Sequence, residues 1–537
     1  MKKVSIAVGY PPIKSEKGVP LLSQNRQFQY FNSSTYIYPM VPAYAASNLQ
    51  ENGYKVYWMD GIAEKKEYEE WVGDLKKIKP DYLLIETKAP IVKKHWSIIN
   101  DLKKESLKMK SWKLKIVIVG DHVSYLPLEV FENSQVDFAI TGGDYDFVVV
   151  NLLNHIHKGD SLEGGVYWRA NNKDIKSKPY GKATLKKGQV IHHSGPASLK
   201  HDLNSLPFVD RDLTKWKLYA FENGNYKYTP GTYMYSGRDC WWNRCTFCVW
   251  DHTINPIGSY RSFTPERLFA EVKHVVDTYK VREIFDDAGT MFAGNKMKKF
   301  CELMIESGYS KKVVFGCNMR FNAIDQNLYR LMKKANFRFI LYGMESANQY
   351  TLDKIQKGIK VSDIINGSRM ASRAGLEPHA TVMLGYPWES YKDAKQTIQL
   401  AKSCFEKGYF NTMQATITIP YPGTPLYKEC KEKGWLMTED YERFDMREPV
   451  MKTPFPKEKI YELEQELYSS FMTPKYIFRK IIGIRSIHDF MYLFYMAWKL
   501  LAHLLDFDPS QTKVNMLSLA FWKNAFKSLS GHFLSKV

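Results

Sequence analysis

Three cysteines lie within nine residues of one another, in the stretch Tyr-Ser-Gly-Arg-Asp-Cys-Trp-Trp-Asn-Arg-Cys-Thr-Phe-Cys-Val-Trp at 235–250. Cys240, Cys245 and Cys248 follow a short strand-like run at 232–236, so a single loop could fold the three sulfurs around one metal centre. Thiolates are the ligands that iron-sulfur clusters and structural zinc ions use in proteins. The segment is therefore a candidate metal site.

The number of ligands separates these two interpretations. A structural zinc ion needs a fourth cysteine or histidine nearby, and the next cysteine, Cys301, lies more than fifty positions downstream. His252 could be a fourth ligand. Three thiolates on a four-iron cluster would leave one iron open for a substrate or cosubstrate, which makes such a site reactive. We favour the cluster and keep zinc, or no metal, as alternatives.

The cysteine segment resembles the cluster loop of the radical S-adenosylmethionine (radical SAM) enzymes. Their usual pattern is Cys-x3-Cys-x2-Cys with an aromatic residue before the last cysteine, a position that Phe247 fills here. The loop departs from the pattern by one extra residue, since Trp241, Trp242, Asn243 and Arg244 separate the first two cysteines. The resemblance implies a 4Fe-4S cluster held by the three cysteines, which are then both metal ligands and catalytic, with S-adenosylmethionine (SAM) as cosubstrate and an external electron donor.

Composition sets the class of protein. The chain has 537 residues, 44% hydrophobic and 25% charged, which suits a folded protein of about three domains. Its net charge of +19 suggests an anionic partner such as lipid, nucleic acid or a phosphorylated substrate, or serves solubility alone.

Cysteine usage and the amino terminus predict a compartment. The other four of the seven cysteines are scattered, which does not make a disulfide framework and favours a reducing cytosol. The apolar run at 4–8 is too short for a signal peptide and is predicted to be the first strand. We expect a cytoplasmic protein.

Residues 1–158 alternate short apolar runs with segments of helical period, which predicts parallel βαβ units and a doubly wound sheet. Strands are expected at 4–8, 55–58, 82–85, 116–119 and 138–140, and helices at 42–52, 66–78, 93–105 and 144–157. Ligands of such sheets bind beyond the carboxyl ends of the strands. The candidate binding residues there are Tyr10, Glu86, Thr87, Gly120, Asp121, His122 and Gly142.

This first region resembles the cobalamin-binding domain that precedes the radical SAM domain in one large subfamily. The resemblance lies in Gly-Tyr-Pro-Pro at 9–12, Tyr-Pro-Met-Val-Pro at 38–42 and Val-Gly-Asp-His at 119–122. It implies cobalamin as a cofactor. The Asp-x-His-x-x-Gly sequence that supplies a lower cobalt ligand in other cobalamin proteins is absent, so we expect no histidine ligand there. A Rossmann-like domain without cobalamin is the alternative.

Residues 159–230 are predicted to be a linker with a few short strands, because Gly, Asn, Lys and Ser clusters recur along them. From 231 to 445 the alternation returns. Strands are expected at 232–236, 282–286, 312–317, 338–343, 379–384 and 412–419, and helices at 265–279, 296–307, 324–335, 361–374 and 391–407. The family resemblance implies that these elements form the partial (β/α)6 barrel of radical SAM proteins, with the active site at the carboxyl ends of its strands.

Polar residues follow most of these strands. The resemblance assigns cofactor-binding roles to Asp286 and Asp287 after the second strand, Arg320 after the third, Glu345 after the fourth, and Gly385 and Glu389 after the fifth. Buried carboxylates can accept hydrogen bonds from the amino and hydroxyl groups of SAM and offset its positive charge. Cys317 is more simply a small buried side chain than a further ligand.

Residues 446–537 are predicted to be helical, with a charged amphipathic helix at 456–470. The apolar run 490–505 is too short and too polar to cross a bilayer. With the basic residues before it, this run could lie on an anionic membrane or pack on the barrel.

The family resemblance implies methyl transfer to an unactivated carbon, started by a 5′-deoxyadenosyl radical. A cobalamin radical SAM cyclase or rearrangement enzyme, or a non-catalytic cofactor-binding sensor, is the alternative. The substrate is expected to be a small molecule, lipid-like or a peptide, without a nucleic-acid partner.

Overall fold

The structure, a computed structural model, describes residues 3–22, 28–32, 35–109, 111–484 and 487–504. Its two large sheets have eight and six strands. The first sheet belongs to the amino-terminal half of the chain and the second to the region that carries the three cysteines.

The amino-terminal sheet is doubly wound, as the sequence predicts. The elements are β1 (Ser5–Gly9), β2 (Val19–Pro20), β3 (Tyr30–Phe31), α1 (Met40–Glu51), β4 (Lys55–Trp58), α2 (Tyr68–Ile78), β5 (Tyr82–Thr87), α3 (Val92–Lys108), β6 (Lys115–Gly120), α4 (Asp121–Tyr125), α5 (Pro127–Asn133), β7 (Phe138–Ile140) and α6 (Tyr145–Lys158). The parallel strands follow the order β4-β1-β5-β6-β7. The chain reverses direction across the sheet between β1 and β5, which is where such folds bind ligands.

The segment predicted to be a linker adds strands to this same sheet. The three strands are β8 (Val166–Arg169), β9 (Gly181–Thr184) and β10 (Val190–His193). They join the sheet beyond β7 in the order β8-β10-β9 and pair antiparallel.

The second sheet is parallel, and its strand order follows the chain. Its region comprises β11 (Gly231–Met234), β12 (Gly237–Arg238), β13 (Arg261–Ser262), α7 (Pro265–Tyr279), β14 (Glu283–Asp286), α8 (Gly294–Glu306), β15 (Val314–Met319), α9 (Gln326–Lys334), β16 (Phe337–Glu345), α10 (Gln349–Lys354), α11 (Val361–Arg373), β17 (Glu377–Leu384), α12 (Tyr391–Glu406) and β18 (Thr412–Ile417). The six predicted strands are all present, in the order β11-β14-β15-β16-β17-β18. The short helix α10 was not predicted.

Helix α7 shows how the sequence specifies these elements. The Thr264 hydroxyl accepts a hydrogen bond from the backbone N–H of Arg267 at 3.1 Å, and Pro265 opens the first turn. Leu268 and Val272, four residues apart, are fully buried on the sheet side. A capping residue, an initial proline and one apolar face are together sufficient to start and orient a helix.

Four helices follow the second sheet: α13 (Pro425–Glu432), α14 (Lys457–Ser469), α15 (Pro474–Ile482) and α16 (Ile487–Leu504). Helix α14 packs against β18, where the Tyr468 hydroxyl accepts a hydrogen bond from the Ala415 N–H at 3.0 Å. Helix α16 is held by an ion pair of 2.6 Å between Lys227 and Asp489. Over the ranges that the structure describes, no helix has the length and apolarity needed to cross a membrane.

A buried ion network joins the segment after β7 to the short strands β12 and β13 that flank the cysteine loop. Arg238, two residues before the first cluster-loop cysteine, donates to Asp146 at 2.6 Å and to the Gly143 carbonyl at 2.8 Å. Asp144 binds Arg261 at 2.5 Å. Helix α4 packs on the turn Trp250–Ile254, directly after the cysteines. The carboxyl edge of the first sheet therefore faces the cysteine loop.

Candidate functional site

The three cysteines predicted to bind a metal line one cavity of about 790 Å³. Cys240 and Cys245 are buried, Cys248 is half-buried, and none of the three forms a disulfide. Burial raises the pKa of Cys245 to about 12 and also raises that of Cys240. Buried thiols of this kind stay protonated until a metal displaces the proton, so metal binding here would be coupled to proton release.

The extra residue of the cysteine loop has a defined place. Asn243 adopts a left-handed backbone with φ of +49°, and its side-chain amide donates to the carbonyls of Asn255 at 3.1 Å and Pro256 at 3.0 Å. Asparagine tolerates this conformation better than most residues. The Trp242 indole donates to the Gln356 carbonyl at 2.7 Å. A tight turn at Asn243 thus accommodates the longer loop, and the hydrogen bonds of Asn243 and Trp242 fix its position.

The cluster and zinc interpretations make different demands on the ligand positions. Among the described residues, no three Cys, His, Asp or Glu side chains converge closely enough to hold one metal ion. His252, the predicted alternative fourth ligand, has its Nε2 3.1 Å from the backbone oxygen of Cys245. In a four-iron cluster each cysteine binds a different iron, so three thiolates need not meet at one point.

Two buried cations lie beside the thiols. Lys357 Nζ is 2.6 Å from Glu345 Oε1, and the two side chains are 11% and 8% exposed. The Arg320 guanidinium stacks 4.4 Å from the Trp242 ring centroid and donates to the Gly358 carbonyl at 3.2 Å. Lys357, Glu345 and Arg320 all line the cavity. Positive charge here would offset the negative charge of thiolates and of the cluster that they bind.

The two adjacent aspartates after β14 have different environments. Asp287 lines the cavity. Asp286 instead accepts hydrogen bonds from the Ser236 N–H at 2.7 Å and the Ser236 hydroxyl at 2.6 Å. It does not line the cavity, and burial raises its pKa to about 6. Neighbouring residues of a strand point to opposite faces, so only one of the pair can reach a ligand in the cavity.

Gly385 and Glu389, the residues predicted to contact SAM after β17, lie behind the cavity wall. Glu389 accepts a hydrogen bond from the Ser346 hydroxyl at 2.6 Å, and burial raises its pKa to about 7. Gly385 has φ of +92° and faces Ile460. In this structure they shape the turn next to Glu345 and do not touch the cavity.

The predicted cobalamin residues gather at the carboxyl edge of the first sheet. Glu86 accepts hydrogen bonds from the hydroxyls of Tyr10 and, at 2.9 Å, Tyr145. This cluster lies in a small pocket at the junction of β1 and β5, and burial raises the pKa of Glu86 to about 7.

The other residues of this group are bonded within the domain. The Thr87 hydroxyl lies 2.8 Å from His95 Nδ1, and the Asp121 carboxylate accepts from the His122 N–H at 2.5 Å. His122 Nε2 lies 2.8 Å from Glu129 Oε2. Gly120 and Gly142 have φ of +123° and +88°, and a Cβ on Gly120 would be 2.1 Å from a backbone oxygen.

Several cavity residues were not predicted. Lys357 follows the unpredicted helix α10, and its Gln-Lys-Gly context gave no local signal. Thr290 has its hydroxyl 3.2 Å from the Cys240 sulfur. Gln29, from the amino-terminal domain, is 3% exposed and lines the cavity, and its side-chain Nε2 has no hydrogen-bond partner in the described structure.

The radical SAM superfamily model matches residues 234–401, the part of the chain that contains the cysteine loop, Glu345 and Lys357. The chain carries a radical SAM domain. A relative over most of its length is an uncharacterized methyltransferase of Pyrococcus horikoshii, 24% identical over 471 residues, covering 86% of this chain and 94% of that protein. The anaerobic magnesium-protoporphyrin IX monomethyl ester cyclase of Cereibacter sphaeroides is 23% identical, and the match covers 77% of this chain and 63% of the cyclase.

Solved structures share the fold over most of this chain. The radical SAM methyltransferase TsrM of Kitasatospora setae, solved with cobalamin and a [4Fe-4S] cluster, superposes with a TM-score of 0.57 at 13% identity, covering 81% of this chain and 78% of TsrM. The cobalamin-dependent enzyme OxsB, solved with aqua-cobalamin and SAM, gives a TM-score of 0.65 at 14% identity, covering 94% and 72%. The predicted α/β fold with parallel sheets is confirmed.

Proposed function

We propose that this chain is a cobalamin-dependent radical SAM methyltransferase that methylates an unactivated carbon. The observation that carries the proposal is a single cavity lined by the three cluster-loop thiols, by the Glu345–Lys357 pair and by a segment of the first domain. When bound, a reduced four-iron cluster supplies the electron that cleaves SAM, and cobalamin supplies a methyl group for transfer.

Cys240, Cys245 and Cys248 would hold the cluster. The donor set fits, because the three cysteine thiols line one cavity and none of them forms a disulfide. Lys357 and Arg320 provide the positive surroundings that stabilise thiolates.

The Glu345–Lys357 pair complements the amino-acid end of SAM. A buried carboxylate beside a buried ammonium matches a ligand that carries an ammonium and a carboxylate on one carbon. We assign the SAM ammonium group to Glu345 and its carboxylate to Lys357. Asp287, which also lines the cavity, can accept hydrogen bonds from ribose hydroxyls.

Cobalamin would lie between the carboxyl edges of the two sheets. Leu21, Gln29 and Ile37 of the first domain line the same cavity as the cysteines. The buried amide of Gln29 has an unused donor there, which suits the amide-rich rim of a corrinoid. His122 Nε2 lies 2.8 Å from Glu129 Oε2, and we propose that this pairing keeps His122 from serving as a cobalt ligand.

The protein also has to exclude water from the reaction cavity. Tyr421 and Phe247 are among the large side chains that enclose the cavity near the thiols. The Tyr421 hydroxyl accepts a hydrogen bond from the Phe28 N–H at 3.2 Å, which ties the second region to the first domain. A closed, dry site protects a reactive radical from solvent.

The test is anaerobic reconstitution with iron, sulfide and hydroxocobalamin, followed by metal and product analysis. We expect about four iron and one cobalt per chain, and formation of S-adenosylhomocysteine together with 5′-deoxyadenosine. Iron without cobalt would contradict cobalamin dependence, and absence of iron would contradict radical chemistry altogether.

The similarity to the cyclase of Cereibacter sphaeroides makes cyclisation or rearrangement the second candidate. Formation of 5′-deoxyadenosine without S-adenosylhomocysteine would assign the chain to that class. A biological output that survives Cys240→Ala would instead assign it to a non-catalytic sensor.

A further inference from the structure

The cavity is far longer than its cysteine end. Alternate residues of β16, namely Phe339, Leu341, Gly343 and Glu345, all line it. Alternate residues of a strand share one face, and six residue steps of about 3.3 Å give a length of about 20 Å along the sheet. The cavity therefore runs along the inner face of the second sheet, away from the thiols.

The far part of this cavity is apolar and uncharged on the sheet side. Its walls include Phe339, Leu341 and Met413. His379 also lines it, but burial lowers the pKa of its imidazole to about 4, and Nδ1 lies 2.8 Å from the Thr412 hydroxyl. A neutral, paired histidine leaves this part of the cavity suited to an apolar chain.

Helices α15 and α16 form the outer wall of this far part. Ile477, Ile481, Phe490 and Phe494 line the cavity and are also 44%, 58%, 56% and 70% exposed to solvent. The same side chains thus line the cavity and keep much of their surface accessible to water.

The outer surface of these helices is apolar as well. Of the sixteen large exposed apolar side chains in the described structure, eight lie on α15 and α16. The four that do not line the cavity are Phe478, Ile482, Ile487 and Met491. We call the eight residues the apolar rim. Such a concentration marks a surface that binds a partner, because scattered single residues would be the ordinary case.

The charge beside the rim is positive. Helix α15 contains no acidic residue, and its Lys475 is exposed. Arg479 is half-buried and donates to the Phe405 carbonyl, whereas Lys480 lines the cavity and donates to Asn411 Oδ1 at 2.8 Å. The chain as a whole carries a net charge of +19. Basic residues next to exposed aliphatic and aromatic side chains are the composition of helices that lie in the surface of an anionic bilayer.

We propose that the apolar rim docks on an anionic lipid bilayer, and that an amphiphilic substrate with a long apolar chain passes from the bilayer through the rim into the cavity. The substrate class rests on the proposed function, since the cavity is taken as the reaction chamber. The bilayer contact does not depend on it.

The first experiment is flotation of the full-length, iron-reconstituted protein with phosphatidylcholine vesicles, with and without phosphatidylglycerol. We expect flotation with the anionic vesicles and much less with the neutral ones. Phe494→Asp and Ile481→Asp should each weaken binding about tenfold or more. Leu107→Asp is the matched control, because Leu107 is a 76% exposed apolar residue on α3 of the first domain.

Two results would overturn the bilayer contact. One is absence of binding by the wild-type protein, or equal loss in Leu107→Asp. The other is a dimer in gel filtration that Phe494→Asp dissociates, without vesicle binding, which would assign the rim to a second copy of the chain.

The second experiment tests the cavity with cis-parinaric acid, a fluorescent long-chain fatty acid. Ala497→Trp places an indole at an exposed, cavity-lining position of α16 and should reduce probe binding about tenfold or more. Unchanged probe binding in this variant, or none in the wild type, would overturn the substrate class. Iron and cobalt are measured on the same samples. Binding of vesicles and probe by a protein that retains no iron or cobalt would contradict only the proposed function. Retention of both metals without binding of vesicles or probe would contradict only this inference.

Discussion

Lys357 Nζ and Glu345 Oε1 lie 2.6 Å apart beside the cluster-loop thiols. Glu345 ends β16 in a left-handed conformation with φ of +60°, at a point where the register with β17 shifts. Non-glycine residues adopt this conformation at a cost of about 1–2 kcal/mol. Burial lowers the pKa of Lys357, but Glu345 offsets this and leaves the pKa raised, so the ammonium is charged. The strained backbone holds a charged pair at the cavity.

We expect Lys357→Met to weaken SAM binding. Loss of one charge-assisted hydrogen bond costs about 1.5–3 kcal/mol, which corresponds to roughly a 10- to 150-fold rise in Kd. Calorimetric titration of SAM into the reconstituted protein measures this. Lys354→Met is the control, since Lys354 pairs with Glu429 at 3.2 Å and packs 4.2 Å from the Trp388 ring centroid, outside the cavity. Equal weakening in both variants would contradict the assignment of Lys357.

Substitution of any cluster-loop cysteine by alanine should remove most of the iron. Each of the three provides one thiolate, and a cluster left with two protein ligands is poorly retained. Iron per chain and the visible absorption spectrum after reconstitution report the result. Cys317→Ala is a sharp control, because Cys317 is fully buried on β15 next to the cavity residue Asn318 yet does not line the cavity. Iron loss in Cys317→Ala would contradict the assignment of the cluster to the three loop cysteines alone.

Gly358→Ala should disturb the cysteine loop specifically. Gly358 has φ of +65°, and a Cβ there would lie 2.0 Å from the Trp242 indole. Gly434 has a similar φ of +63° with open space around it, so Gly434→Ala carries the backbone strain without the clash. That strain is worth about 1–2 kcal/mol. We expect Gly358→Ala to lower both the urea midpoint of unfolding and the iron content further than Gly434→Ala does, and equal effects would rule out the packing argument.

Arg238→Met should destabilise the contact between the first domain and the cysteine-loop region. It leaves Asp146, which is fully buried, without the partner that lies 2.6 Å away. Removal of one member of a buried ion pair costs about 3–5 kcal/mol. Thermal unfolding is expected to begin at lower temperature, with reduced iron retention. Replacing Asp146 by leucine in the same protein should recover part of the loss, whereas Arg282→Met, at an exposed position, should have little effect.

His201 gives the domain junction a pH dependence. Burial lowers the pKa of its imidazole, but hydrogen bonds to Asp144 at 2.7 Å and Glu163 at 2.8 Å more than offset this and raise it to about 9. The ordinary histidine value in an unfolded chain is about 6.5. The stabilisation is thus fully present below about pH 6.5 and is lost as pH rises through 9, by at most roughly 3 kcal/mol.

His201→Gln should flatten the decline in stability between these pH values. Urea unfolding at a series of pH values measures the slope. His192→Gln, on β10, should keep the wild-type slope, and an unchanged slope in His201→Gln would show that another group causes the decline.

The sequence by itself determined the elements and the chemistry of the cysteine loop. Strand and helix periods are local, and so are capping signals such as Thr264 with Pro265, which is why the parallel strands of both sheets and most helix limits were predicted. The spacing of Cys240, Cys245 and Cys248 likewise carries its meaning within nine residues.

Only the tertiary structure decided which predicted residues reach the cavity. Asp286 and Asp287 are equivalent in sequence, but the pairing of β14 with its neighbours turns Asp287 inward and Asp286 toward Ser236. The strands of 159–230 have no local mark of joining the first sheet. Lys357 and the wall built by α15 and α16 depend on contacts between segments far apart in the chain. Local periodicity encodes elements, whereas the facing of a side chain depends on what packs against it, and that information is distributed over the whole chain.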